Sequence, residues 1–386
     1  MNCINFKITL DDLVKVDPNI SAVLNRKKLK EVHALIKSKF GSVKNFANIM
    51  GFRFQTVYNW LKRGVNPKII VLKQICKMLN IKMKDLVERV ICFNEPFRSF
   101  IPIHSFPIKV DENLASLIGH SFGDGHIGIS FEYTNKSKEL LNEVIDSVNK
   151  LPIKNVKVIF NHQPNKTPTL VFPKLVRDIL VCAGAPIGNK ITNNSEFPVW
   201  IKNGDNEIKK AFIRALFDDE GNVSSNRIIR FSLSKRVNLV NNLHLFFEEI
   251  KSILEDLGIN GVRIKESESG NGKNGKTVEN LLTICGFFNL KKFFEVIKFN
   301  HPKKMNLLQK LIENTEVIKL CNGETKKKII DLLNNNSLTI NEISKMIGFS
   351  WKTTWEHVKD LESQNLLIKN KVSNSRELYW STCNHI

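Results

Sequence analysis

Two acidic residues, each followed by a glycine, carry the chemistry this sequence offers. Asp124 lies in "LASLIGHSFGDGHI" (114–127), squeezed between Gly123 and Gly125. Glu220 lies in "AFIRALFDDEGNV" (211–223), directly before Gly221. Each closes an apolar, small-residue stretch of helical character and opens a polar, strand-like one. A carboxylate in the last turn of a helix meets the partial negative charge of the helix end, at a cost of a few tenths to about 1 kcal/mol. Two such carboxylates brought side by side repel unless a hard divalent cation sits between them, and Mg2+ or Mn2+ suits oxygen ligands of this kind. A metal held in that way activates water and stabilises an attacked phosphate, which is phosphodiester hydrolysis. The opposing reading is a pair of helix-ending acids in ordinary surface turns. The matched context of the two stretches weighs against it.

The elements that must position these acids repeat. Glu220 follows Asp124 by 96 positions, and each is succeeded by a short strand pair and then a long helix, at 136–150 and 235–257. Helices are expected at 111–122, 137–150, 174–183, 206–218, 235–256 and 287–298. Ala115, Gly119 and Gly123 fall four apart on the first motif helix, as do Ala211 and Ala215 on the second, a spacing that lets two helix backbones approach closely. Gly125 and Gly221 are expected as left-handed helix caps. In "RIIRFSLS" Ile229, Phe231 and Leu233 share one strand face and Arg230, Ser232 and Ser234 the other. That polar face makes Arg230 and Ser232 candidates for contact with a polyanion. "KESESGNGKNGKTVEN" (265–280) reads as a loop, and both hairpins look short.

Charge points the same way. The chain of 386 residues carries a net charge of +20, but residues 1–110 hold 20 Lys+Arg against 7 Asp+Glu. A basic segment of this kind suits nucleic acid first and an anionic membrane face second. No apolar run approaches the roughly 18 residues of a membrane span. The seven cysteines form no CxxC pair, which fits a reducing cytoplasm and neither a disulfide framework nor a zinc ribbon.

Within the basic segment, "SVKNFANIMGFRFQTVYNWLKRG" (42–64) predicts a helix, a glycine turn at Gly51 and a second helix. The second helix would offer Arg53, Gln55, Thr56, Tyr58, Asn59 and Lys62 to base edges and phosphates. It resembles the helix-turn-helix of the phage-repressor superfamily, with a plain helical hairpin as the alternative. From about Lys326 the pattern returns: three helical stretches, a glycine at Gly348 and two strand candidates, "LLIK" and "ELYW". That is the layout of a winged helix, in which Ser350, Lys352, Thr353 and His357 would face DNA, although winged helices also bind proteins. Trp351 and Trp355 are four apart, so at least one is expected in the core.

The paired motif resembles the LAGLIDADG homing endonucleases in their single-chain, two-motif form. "LIGHSFGDG" (117–125) matches loosely and "IRALFDDEG" (213–221) better, over about half the chain. The resemblance implies an α+β fold of tandem pseudo-two-fold αββαββα repeats, flanked here by two small, mainly helical helix-turn-helix domains. It places the boundaries at 1–105 for the basic domain, 106–312 for the endonuclease-like domain (repeats about 111–200 and 201–312) and 322–386 for the winged-helix-like domain. It implies Asp124 and Glu220 as the metal-binding acids for Mg2+ or Mn2+. Lys190, in "AGAPIGNKITNNSEFPVWI" (183–201), takes the place of a lysine that stabilises phosphate charge, with a surface lysine as the other reading. Lys303 or Lys304 is a weaker candidate. There are departures: His120-Ser121-Phe122 replaces Leu-Ile-Asp of the consensus, and Asp218 and Asp219 crowd the second site. His120 and His126 flank the first site and are expected to be packed or capping residues.

Two functions follow. One is a site-specific double-strand DNA endonuclease of the homing type. The other is a sequence-specific transcriptional regulator on a catalytically retired scaffold of the same kind. No splicing-type cysteine or serine start and no closing His-Asn encloses the repeat, which argues against an intein. The partner expected is double-stranded DNA, with no membrane and no small-molecule substrate, and the chain is expected to be a cytoplasmic monomer.

Overall fold

A computed structural model describes residues 6–92, 99–162, 164–272, 275–313, 324–334, 336–371 and 378–383. The chain forms two compact units. One comprises residues 1–220 with 234–250 and 268–279, the other 221–233, 251–267 and 280–386.

The N-terminal region runs β1 (Lys7–Ile8), α1 (Leu10–Val16), β2 (Ser21–Leu24), α2 (Arg26–Phe40), α3 (Val43–Ile49), α4 (Phe54–Lys62), α5 (Ile69–Leu79), α6 (Met83–Leu86), β3 (Val87–Ile91), β4 (Phe100–Pro102) and β5 (Ile108–Lys109). It is not purely helical, since β2, β3 and β4 make a three-stranded antiparallel sheet. Ser42 caps α3 by accepting from the Asn45 N–H, and Gly51 turns the chain at φ 73°. Ala47, fully buried, lets α3 and α4 meet, while Phe52 packs edge-on against Trp60 at 5.3 Å. The helix–glycine turn–helix expected at 42–64 is therefore present.

The middle of the chain holds both repeats. The first runs α7 (Glu112–Phe122), β6 (Gly125–Ile127), β7 (Phe131–Thr134), α8 (Lys138–Lys150), β8 (Ile159–Asn161), β9 (Thr169–Phe172) and α9 (Lys174–Cys182). After α10 (Val199–Lys202) comes the second: α11 (Asn206–Glu220), β10 (Gly221–Ser224), β11 (Ile228–Arg236), α12 (Val240–Asp256), β12 (Arg263–Gly272), β13 (Gly275–Cys285) and α13 (Phe287–Val296), then α14 (Pro302–Glu313). The sheets are ordered β6-β7-β9-β8 and β10-β11-β13-β12. This is the tandem αββαββα architecture, a LAGLIDADG-like fold with helix-turn-helix regions before and after it in the sequence.

Two strand expectations are corrected. The segment read as a loop at 265–280 lies mostly in the long hairpin of β12 and β13, outside residues 273–274, which are not described. Alternating buried positions along β13, among them Val278, Asn280, Leu282 and Ile284, hold it to the sheet despite its Gly/Asn/Lys-rich start. The expected shortness holds for β6 to β10, at three or four residues each, whereas β11, β12 and β13 of the second repeat run to 9, 10 and 11 residues.

The C-terminal region runs α15 (Glu324–Leu333), β14 (Leu338–Thr339), α16 (Ile340–Ile347), α17 (Trp351–Ser363), β15 (Leu367–Lys371) and β16 (Leu378–Thr382). Thr339 and Glu342 form a reciprocal capping box on α16, Gly348 ends that helix in the left-handed region, and Ser350 caps α17. Ile329, Leu333, Ile343, Ile347, Val358, Leu361 and Trp380 form its core under a β14-β16-β15 sheet. Helix-turn-helix plus hairpin is the winged-helix arrangement. Among the described residues no helix is long and apolar enough to cross a membrane.

Candidate functional site

Helices α7 and α11 pack on each other as the small-residue spacing requires. A Cβ on Gly119 would sit 2.6 Å from the Phe212 carbonyl oxygen and 2.8 Å from the Ala215 Cβ, so only glycine permits this approach. Leu114, Leu117 and Ile118 of α7 and Phe212, Ile213 and Leu216 of α11 are fully buried, at about 1.5–3 kcal/mol of burial each. That packing brings the two motif ends together.

The glycines there serve close approach, and the expected left-handed caps are corrected. Neither Gly125 nor Gly221 has positive φ; each begins a strand, β6 and β10. A Cβ on Gly125 would meet the His120 carbonyl at 2.7 Å, and one on Gly123 would overlap the Asp219 carboxylate. The space that Gly123 leaves empty is filled by the Asp219 side chain.

Asp219, set aside by sequence reasoning as a crowding residue, is the centre of the site. Its fully buried carboxylate accepts from His120 Nδ1 at 3.0 Å, from the Asp124 backbone N–H at 3.0 Å and from the Tyr133 hydroxyl at 2.7 Å. On the far side of the imidazole, His120 Nε2 stands 3.7 Å from Glu143, which accepts from the Ser116 hydroxyl. Burial alone would depress the His120 pKa. The charge and hydrogen bond of Asp219, aided by Glu143, reverse this and raise it to about 10, so the ring is a cation. His120 is thus a packed residue, as expected, and half of an internal ion pair.

Asp124 is exposed, and its Oδ2 accepts from Asn135 Nδ2 at 2.8 Å. Lys190 belongs to the site. Its ammonium donates to the Gly123 carbonyl and, at 3.0 Å, to the Gly125 carbonyl, capping the end of α7. Burial lowers its pKa, opposed by the charges of Glu220, Asp219 and Asp124 around it. The loop that carries Lys190 is fastened by Gly188 N–H to Ile127 O (2.8 Å) and Arg236 N–H to Ile191 O (3.0 Å). Around the acids, His120, Tyr133 and the Asp124 N–H donate to Asp219, Asn135 donates to Asp124, and the Lys190 ammonium feels the charges of Glu220, Asp219 and Asp124. Lys303 and Lys304 fall in the first turn of α14.

Sequence reasoning missed Asp219, Tyr133 and Asn135. One signal was available: the 96-residue offset sets Asp219 against Gly123, an acid opposite a vacancy. A second buried cluster was also missed. Asp17, Cys92 and Asp178 place ligand atoms within 4.8 Å of one another. Lys174 pairs with both of these acids and Arg177 with Asp178, so the cluster already holds its cations.

Of the residues expected at DNA, Arg53, Gln55, Tyr58 and Lys62 are exposed, with Thr56 and Asn59 half-buried beside them on α4. Gln55 donates to Asn59 Oδ1 at 2.8 Å, and Phe54, not foreseen, lies exposed against Tyr58. Arg230 is exposed and Ser232 half-buried on β11. On α17, Lys352 is exposed and Thr353 half-buried. The expectation that Trp351 or Trp355 is core is corrected: they are 51% and 39% exposed and stacked on each other at 6.2 Å. Thr354 and Val358 take the buried face of the helix instead.

Family models match the chain in three places. The second repeat matches the LAGLIDADG-like domain family over residues 207–298. Residues 32–90 match the Cro/C1-type HTH DNA-binding domain and 324–368 the winged helix-turn-helix DNA-binding family. Among curated proteins, the replication factor C small subunit of Methanocaldococcus jannaschii is 30% identical over 207 residues, 49% of this chain and 11% of the relative. The tRNA-splicing ligase RtcB of Pyrococcus furiosus is 25% identical over 231 residues, 54% of this chain and 23% of the relative. The chain thus spans between about a tenth and a quarter of the length of these relatives. Among solved structures, full-length DUF199/WhiA from Thermatoga maritima is 13% identical, covering 66% of this chain and 90% of that one, with a TM-score of 0.33. The N-terminal LAGLIDADG domain of DUF199/WhiA gives 14%, 48%, 82% and 0.32.

Proposed function

We propose that the protein is a sequence-specific, double-stranded-DNA-binding transcriptional regulator on a LAGLIDADG-type scaffold. The observation that carries this reading is the state of the helix junction. Asp219 accepts from three donors, and the Lys190 ammonium, tied to the Gly123 and Gly125 carbonyls, feels the charges of Glu220, Asp219 and Asp124. A nuclease needs carboxylates turned toward a divalent ion, whereas the Asp219 carboxylate at this junction is turned inward onto the His120 imidazole, the Tyr133 hydroxyl and the Asp124 N–H. DNA reading falls to the N-terminal unit. Its matched span of 32–90 holds 12 Lys+Arg against 2 Asp+Glu, and Gln55 and Asn59 on α4 suit the adenine edge in a major groove.

A second reading, the metal-dependent endonuclease, is favoured by one observation: Asp124 is exposed at the end of α7. The donor set fits a hard cation through Asp124 and Glu220, because the Asp219 carboxylate is turned inward onto three donors. Those two residues would hold Mg2+ or Mn2+, which supplies water activation and charge neutralisation at phosphate. Lys190, beside them, would neutralise phosphate charge.

Selection from a random double-stranded DNA library with the full chain, in Mg2+, Mn2+ and EDTA, decides between the readings. Recovery of one recurring, intact site in all three conditions supports the regulator. Metal-dependent cutting of the selected site overturns it in favour of the nuclease.

A further inference from the structure

The two helix-turn-helix units share a frame. "GFRFQTVYN" (51–59) and "GFSWKTTWE" (348–356) place glycine, phenylalanine, an aromatic residue, threonine and a second aromatic residue at the same positions. Gly51 and Gly348 have φ of 73° and 75°, and the exposed pair Phe54/Tyr58 answers to Trp351/Trp355. The surroundings differ. The matched C-terminal span, 324–368, holds 6 Lys+Arg against 6 Asp+Glu, so it lacks the positive excess that binds phosphate. Several of its cations are met locally: Lys326 by Asp360, Lys352 by Glu356 and Lys359 by Glu362.

We propose that α17 docks on α17 of a second copy of this chain, with the stacked tryptophans at the centre of the contact. Exposed tryptophans in a neutral setting are the side chains that anchor protein interfaces, and stacking fixes their rotamers before contact. The flanking charges select the occupant. Lys352 and Glu356 lie one turn apart along a single flank of the Trp351/Trp355 stripe, with their charged ends 3.6 Å apart. When two copies of such a helix meet antiparallel about a two-fold axis, the flank faces itself reversed. Lys352 then stands opposite the partner's Glu356, and Glu356 opposite its Lys352. A surface with an apolar centre and opposite charges at its two ends is complementary to itself. Duplex DNA, uniformly negative, would meet Glu356 unfavourably at the position where α4 carries Asn59. The inference is independent of the regulator reading and departs from the monomer expected from the sequence.

Sedimentation velocity of the full chain over a concentration series tests it. The wild type is expected to dimerise with a Kd of about 1–100 µM, as small transient interfaces do. Trp351→Ser/Trp355→Ser is expected to be monomeric, with circular dichroism reporting that the helices are still folded. The charge variants keep the argument testable if that double variant unfolds. Lys352→Glu alone and Glu356→Lys alone each face their own copy with like charges and should dimerise at least tenfold more weakly. Mixed in equal amounts they should recover a dimer. A wild type that stays monomeric throughout, or a mixture no tighter than either variant alone, overturns the proposal. So does a Trp351→Ser/Trp355→Ser protein that dimerises like the wild type and loses only DNA affinity.

Discussion

Across the internal repeat Asp124 corresponds to Glu220 and Gly123 to Asp219, and the two motif ends do different work. The first ends in a residue without a side chain followed by an exposed carboxylate. The second ends in a carboxylate that enters the first motif's vacancy and binds three of its donors. A pseudo-two-fold axis therefore does not make its related residues equivalent. One half provides the space and the donors, the other provides the charge, and a regular repeat becomes a lock between two helices.

The largest expected effect follows from opening that lock on the acid side. Asp219→Asn keeps the shape but leaves the His120 cation buried without its main counter-charge, and should cost about 3–5 kcal/mol in urea unfolding. A cost under about 1 kcal/mol would show that the pair is not structural. Tyr133→Phe removes one hydrogen bond to a buried charged group and should cost about 1.5–3 kcal/mol. Gly123→Ala drives a methyl into a carboxylate that three donors hold in place, and overpacking of that kind costs about 1–3 kcal/mol. If Gly123→Ala were neutral, the vacancy would not be what admits Asp219.

Titration sharpens the contrast further. The folded His120 binds a proton at pH values where the unfolded imidazole, near 6.5, has released it. Its stabilisation is therefore complete below about pH 6.5 and is lost as pH rises through about 10. His120→Leu should flatten that alkaline limb of the stability profile; an unchanged limb would detach it from His120. The smallest effect belongs to the first motif. Asp124→Asn, at an exposed position, should shift stability by no more than about 0.5 kcal/mol, and a loss comparable to that of Asp219→Asn would erase the asymmetry.

Much of this was legible in the sequence. Periodic apolar residues marked α7, α8, α9, α11 and α12, and the four-residue spacing of Ala115, Gly119 and Gly123 announced the close helix pair. Lys190 was found by its place in a resembling segment, and it does reach the junction. Asp219 was harder because its partners His120, Asp124 and Tyr133 stand 86 to 99 positions away. No local pattern says that a carboxylate next to an apolar helix face will turn inward toward them. The tryptophans illustrate another limit. A spacing of four says that two side chains share a face, and the burial of Thr354 and Val358 decides which face that is. In β12 and β13 a glycine- and lysine-rich composition hid strands whose alternation, plain in "TVENLLTIC", was the better guide.

The distribution of the five tryptophans has an optical consequence. Trp60, Trp200 and Trp380 are all less than a tenth exposed, and the stacked pair on α17 holds the accessible indole surface. Intrinsic emission thus divides into a shielded population and a solvent-facing one, the latter confined to the C-terminal winged helix. An aqueous quencher such as iodide would dim the α17 indoles first, and their parallel rings, 13° apart, are placed for exciton coupling in the near ultraviolet. Whatever covers that helix would become visible, without any attached label, as protection of the red edge of the spectrum.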